Sequence, residues 1–126
     1  MSVLYVDTSA LVAVAFDEPG AASLARRLNE AAHLLSSNLL EAELRATFAR
    51  EGADFRASLV SGIEWILPER PLTSELTTVL AAGYLRGADL WHVATALYVA
   101  RELGNIAFVT LDARQQVVAE ALGFQA

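Results

Sequence analysis

The chain predicts an α/β fold, a three-layer sandwich in which a central parallel sheet of four or five strands is flanked by helices. Short apolar strand-like runs alternate with helical stretches along its whole length. No Asn-Gly or Asp-Gly pair marks a hairpin between them, so the connections cross over and the strands run parallel. Asp7 and Asp112 each follow an apolar run at its carboxyl end, which is where parallel sheets place their ligand sites. At 126 residues and 55% hydrophobic content, the chain reads as one domain, residues 1–126, able to bury a core.

Val3 to Val6 is a short buried strand, and after Asp7 and Thr8 an apolar helix runs from Ser9 to about Phe16. Pro19 and Gly20 break it, and Ala21 to Ala32 supply a second helix. Leu34 and Leu35 form a weak second strand, after which Asn38 is a natural N-cap for a helix reaching about Glu51. Ala53 to Ser61 reads as a further helix, leading to a third strand at Trp65 to Leu67 that Pro68 and Pro71 close. Helices follow at Ser74 to Leu85 and Leu90 to Leu103, with Gly87 between them. Ile106 to Val109 is the fourth strand and Ala113 to Leu122 the last helix.

Composition excludes several chemistries. The chain has no cysteine, so disulfides, thiolate zinc sites and cysteine nucleophiles are ruled out. All 9 basic residues are arginines, which removes any mechanism built on a lysine, including a P-loop. The N-terminal apolar run is too short for a signal peptide or a membrane span, so a soluble cytoplasmic protein is expected. A net charge of -6 argues against a generic basic nucleic-acid binder. It leaves room for a nuclease whose metals neutralise its own acids.

Four acids stand out: Asp7, Glu43, Asp89 and Asp112. Carboxylates delivered from several elements to one sheet edge make a hard-cation site suited to hydrolytic or phosphoryl chemistry. Taken singly, Asp7, Asp89 and Asp112 are also explained as helix caps. Glu43 is harder to explain, because Leu39, Leu40, Ala46 and Thr47 lie three and four residues from it and place it within an apolar arc. Glu41, on roughly the opposite face, has Arg45 at i+4 for an ordinary solvated pair. Glu43 therefore points inward and needs a partner, of which a metal is one. Asp89 opens the stripe Asp89, Val93, Ala96, Leu97, Ala100 in the same way. His92, without a second histidine nearby, reads as a packing or supporting residue rather than a ligand.

The stretches around these acids are V-D-T-S-A-L (Val6 to Leu11), E-A-E-L-R (Glu41 to Arg45), A-D-L-W-H-V-A-T-A-L (Ala88 to Leu97) and V-T-L-D (Val109 to Asp112), with G-F near the end. In that order they resemble the PIN-domain nucleases, and within them the VapC-type toxins of bacterial toxin-antitoxin pairs. The resemblance runs from Val3 to Phe124. It implies that Asp7, Glu43, Asp89 and Asp112 are catalytic and bind one or two Mg2+ or Mn2+ ions, with Ser9 and Thr110 as supporting hydroxyls. It implies an endoribonuclease in which a Mg2+-activated water hydrolyses RNA phosphodiester bonds. A cognate antitoxin and a homodimer are further implied partners, and the apolar stretches Ala10 to Phe16 and Ala53 to Ile63 suit a groove, an interface or plain core packing. Two departures are present. Ala88, Asp89, Leu90 stand where the family more often has L-D-A. Arg114, Gln115 and Gln116 stand where some relatives carry a further acid, so the metal count is open.

Arg45, Arg50 and Arg86 are the basic residues nearest these acids in sequence and are candidates for RNA contact. Two other functions compete with the nuclease. A phosphoaspartate phosphatase or receiver domain shares the scaffold, but the phosphatase needs an acid where Ser9 stands, and the class needs a phosphate-side lysine that is absent. A catalytically inactive PIN-like binding module is the other alternative, since presence of the acids is not activity.

Overall fold

The computed structural model describes residues 2–126; Met1, the first residue of the expected domain, lies outside them. A four-stranded, all-parallel sheet in the order β3-β2-β1-β4 is flanked by six α-helices. Its strands are β1 (Val3–Val6), β2 (His33–Ser37), β3 (Glu64–Ile66) and β4 (Ala107–Val109). Its helices are α1 (Thr8–Ala15), α2 (Ala21–Glu30), α3 (Leu39–Glu51), α4 (Thr73–Ala82), α5 (Gly87–Leu103) and α6 (Ala113–Ala121). Leu4 pairs with Leu34 and Ala107, and Tyr5 with Leu35 and Phe108, so β1 is central and bonded on both sides.

Alternation along the strands builds two apolar layers. Leu4, Val6, Ala107 and Val109 face α1, α2 and α3, together with Leu11, Leu28, Leu40, Leu44 and Phe48. Tyr5 and Phe108 face α4, α5 and α6, packing with Val79, Val93, Val99 and Val118; their rings stack at 5.3 Å. Burial on both faces is why the strands read as continuous apolar runs. The chain leaves β1 toward one layer and β4 toward the other, opening a crevice beyond the carboxyl ends of β1 and β4.

Four local expectations change. β2 extends through Ser36 and Ser37, both sealed from water, because each is satisfied internally: the Ser36 hydroxyl donates to the Val6 carbonyl at 2.6 Å, and Ser37 Oγ accepts from Leu39 N and Trp91 Nε1. Asn38 makes no side-chain cap, and Ser37 meets the first free N–H of α3 in its place. Residues 53–63 contain only a 3-10 turn at Ala57–Leu59. Gly52 ends α3 in the left-handed region (φ 67), and the segment after it is pinned by Phe55 packing edge-on to Phe48 rather than by helical bonding. Conversely, α5 starts three residues before Leu90, so Asp89 lies inside its first turn.

The second layer is tied by charge as well as packing. Glu75, fully buried on α4, accepts two bonds from Arg70 (3.0 and 2.7 Å) and one from Arg101 of α5 (2.6 Å). Hydrogen bonding from Arg70 outweighs the cost of burial and holds the Glu75 carboxyl at about 2, against an ordinary 4.5. A folded-state pKa below the unfolded one gives stability that is present above the unfolded value and lost as pH falls through the folded one. Thermal unfolding across pH should therefore show wild type more stable than Glu75→Gln near neutrality, with the gap closing between pH 4.5 and about 2. A gap independent of pH in that window would contradict this role.

Candidate active site

Asp7 ends β1 and caps α1, accepting from Ala10 N at 3.3 Å. It is 3% exposed, and both oxygens are engaged: Ser9 Oγ donates to Oδ1 at 2.8 Å and Thr110 Oγ1 reaches Oδ2 at 2.9 Å. Burial pushes its pKa up, and the Ser9 and Thr110 hydroxyls and nearby His92 oppose that shift without cancelling it. Ser9 also accepts from Leu111 N, and Thr110 from Asp112 N, so these hydroxyls join the ends of β1 and β4. The expected supporting residues thus touch Asp7 directly.

Glu43 meets α5. Its side chain is 30% exposed against 38% for Glu41, so exposure hardly separates the two. Their partners do. Glu41 pairs with Arg45 at 2.8 Å on the helix surface, whereas Glu43 Oε1 accepts from Thr8 Oγ1 at 2.7 Å and contacts His92 Nε2 at 2.8 Å. The partner that an inward carboxylate requires is therefore supplied by protein. Burial raises the Glu43 pKa, but hydrogen bonds from His92 and Thr8 outweigh it and the net shift is downward. His92 itself is buried, and its Nδ1 lies 2.8 Å from the Tyr5 hydroxyl.

Asp89 and Asp112 line one groove of about 540 Å³ with Leu85, Arg86, Gly87 and Arg114. Asp112 caps α6 through Gln115 N at 2.8 Å. Asp89 has no hydrogen bond to its side chain among the described residues; its pKa is raised first by burial, then by the charges of Asp112 and Glu43, with His92 and Arg86 opposing. Gln115 is a site residue that the sequence reading missed. It is fully buried, bonding the Asp89 carbonyl at 3.2 Å and Thr110 Oγ1 at 3.0 Å, and so links α5, α6 and β4. Its signal was available: Val118 and Ala119 lie three and four residues on, the same polar-in-apolar pattern that singles out Glu43.

The basic candidates divide. Arg45 is occupied by Glu41 and stacks over Phe55 at 4.1 Å, and Arg50 pairs with Glu51. Arg86 lies in the groove beside Asp89, joined there by Arg114, and neither forms an ion pair among the described residues.

All four acids offer hard oxygens, and at Asp89 burial and the charges of Asp112 and Glu43 together outweigh those of His92 and Arg86, so added positive charge is favoured there. Among the described residues, however, no three histidine or carboxylate side chains are gathered closely enough to hold an ion as they stand. The donor chemistry fits a cation; its binding requires the side chains to draw together.

A family model described as the PIN domain matches residues 4–121 of the chain. No curated protein and no solved structure matches it.

Asp89 gives a test that needs no substrate. Its folded-state pKa is raised, so its contribution to stability is full below the unfolded pKa and lost as pH rises through the folded one. At neutral pH the ionised group opposes folding. Without divalent cations, Asp89→Asn should melt higher than wild type by about 2–5 °C. Mn2+ should raise the melting temperature of wild type more than that of the variant, and equal responses would count against Asp89 as a ligand.

Proposed function

This chain belongs to the PIN-domain family, and on that premise we propose that it is a metal-dependent endoribonuclease whose Asp7, Glu43, Asp89 and Asp112 hold one or two Mg2+ or Mn2+ ions. The observation that carries this reading is the joining of the acid-bearing elements at one crevice. Ser9 and Thr110 connect Asp7 to the end of β4, and Asp89 titrates under the fields of Asp112 and Glu43. A bound divalent cation supplies Lewis acidity, polarising a phosphodiester and activating water for hydrolysis.

The chain's own residues prepare that site. Ser9, Thr110 and the Ala10 N–H offset part of the cost of burying the Asp7 charge. Thr8 and His92 occupy Oε1 of Glu43 and leave Oε2 without a protein partner among the described residues. Among the described residues, Arg86 and Arg114 bring positive charge to the groove of Asp89 and Asp112, where they suit contacts to RNA phosphates beside the cut. Oxygen donors favour Mg2+ and Mn2+ over Zn2+.

The finer assignment, the toxin of a toxin-antitoxin pair, rests on the resemblance of the four ordered motifs to VapC-type toxins. Under it the protein works in the cytoplasm as a homodimer and is held inactive by a cognate antitoxin. No helix among the described residues is long and apolar enough to cross a membrane. A small reading frame beside this one, encoding a DNA-binding segment and a disordered tail, is what that assignment expects. The second reading, an inactive PIN-like binding module, is favoured by the absence of a gathered donor trio among the described residues.

Purified protein should cleave a panel of structured RNAs with Mg2+ or Mn2+ and stop when EDTA is added. Asp7→Asn and Asp89→Asn should each lower cleavage by about a hundredfold or more. Arg114→Ala should weaken binding of uncleaved RNA and reduce the salt slope by about 1. Cleavage that persists in both aspartate variants with EDTA present would falsify the metal-nuclease reading, and RNA binding without any cleavage would support the inactive module.

A further inference from the structure

We propose that Tyr5 and His92 are positioning residues, a directional hydrogen-bonded chain that fixes Glu43 for cation binding; this rests on reading Glu43 as part of a cation site. The direction of each bond follows from which groups can only donate or only accept. Glu43 Oε1 can only accept, so His92 Nε2, 2.8 Å from it, carries a hydrogen, and in the neutral ring Nδ1 is then a bare acceptor for the Tyr5 hydroxyl at 2.8 Å; the Tyr5 oxygen accepts in turn from the Ser37 backbone N–H at 3.1 Å. The neutral ring thus carries its hydrogen on Nε2. The reverse tautomer would set the bare lone pair of Nε2 against a carboxylate oxygen at the same distance, two acceptors facing each other.

Geometry makes this chain rigid. Tyr5 and His92 are 0% and 1% exposed, and Tyr5 is clamped between the Phe108 ring, stacked at 5.3 Å, and the His92 ring, edge-on at 5.9 Å. Thr8 adds a second donor to Oε1 at 2.7 Å. With Oε1 held twice, the carboxylate cannot rotate without breaking both bonds, and Oε2 is left for a ligand. Supporting groups of this kind fix the orientation and basicity of metal ligands. Here the support begins in the sheet, at the β1–β2 pairing, and passes through α5 to α3.

The chain has only two histidines, so ring 15N resonances identify His92 directly. In metal-free wild type, at a pH where the ring is neutral, it should be the Nε2–H tautomer. Tyr5→Phe keeps the stacked ring but should shift His92 toward a tautomer mixture, and raise the Mn2+ dissociation constant by about tenfold. His92→Leu should weaken Mn2+ to a similar or greater degree, and His92→Gln, whose amide can donate to Glu43, should restore part of the loss. In RNA cleavage the same variants should lower kcat with little change in KM. A wild-type ring in the Nδ1–H form, or a folded His92→Leu protein that binds Mn2+ as wild type does, would overturn the proposal. If wild type binds Mn2+ yet cleaves no RNA, the ribonuclease reading fails, while the tautomer and the Mn2+ affinities still decide the role of Tyr5 and His92.

Discussion

A carboxylate buried at the end of the central strand sets the terms for everything around it. Asp7 is shielded from water, and a charge in that place must be compensated or neutralised. The fold compensates by bringing the hydroxyls of Ser9 and Thr110 and the Ala10 N–H onto its two oxygens. Two of these donors come from α1 and one from just beyond β4. Holding Asp7 therefore also holds the crevice between β1 and β4 in register. Gln115 extends the arrangement, tying Thr110 to the backbone of Asp89 and so bringing α5 to the same edge.

The acids differ in how they are supported. Asp7 and Glu43 are held by protein donors, Asp112 is half committed to capping α6, and Asp89 has no side-chain bond among the described residues. A site of this kind is partly ordered in advance and partly open to rearrangement. Under the proposed cation site, the charges of Asp112 and Glu43 acting on Asp89 would favour the entry of a cation, and the protein donors would set which oxygens remain to receive it. The same arrangement explains why Glu43's inward position does not by itself demand a metal: Thr8 and His92 already satisfy one of its oxygens.

Much of this was legible from the residues. The parallel sheet, the order of strands and helices and the positions of Asp7 and Asp112 after their strands follow from apolar runs and their punctuation. The misreadings share a cause. The polarity of Ser36 and Ser37 hides that they are paired in the sheet as part of β2. Residues 53–63 have enough apolar content to resemble a helix, but Phe55 is spent on Phe48 instead. Asn38 has the right residue type for a cap, and the bond is made by its neighbour. In each case a specific contact outweighed the preference of residue type: a long-range one for Ser36 and Ser37, and one with a chain neighbour for Asn38 and Phe55.

By itself the sequence determined the α/β class, the apolar alternation and the four acids with their flanking motifs, because these depend on local periodicity and on residue type. Only the tertiary structure decided which donors meet which oxygens. Glu43 and Glu41 lie on one helix at nearly equal exposure, and they part only because α5 and Thr8 come to one of them. Tyr5, His92 and Gln115 gain their roles in the same way, from hydrogen bonds across as many as 87 residues of chain, whose direction is set by geometry that no spacing in the sequence encodes.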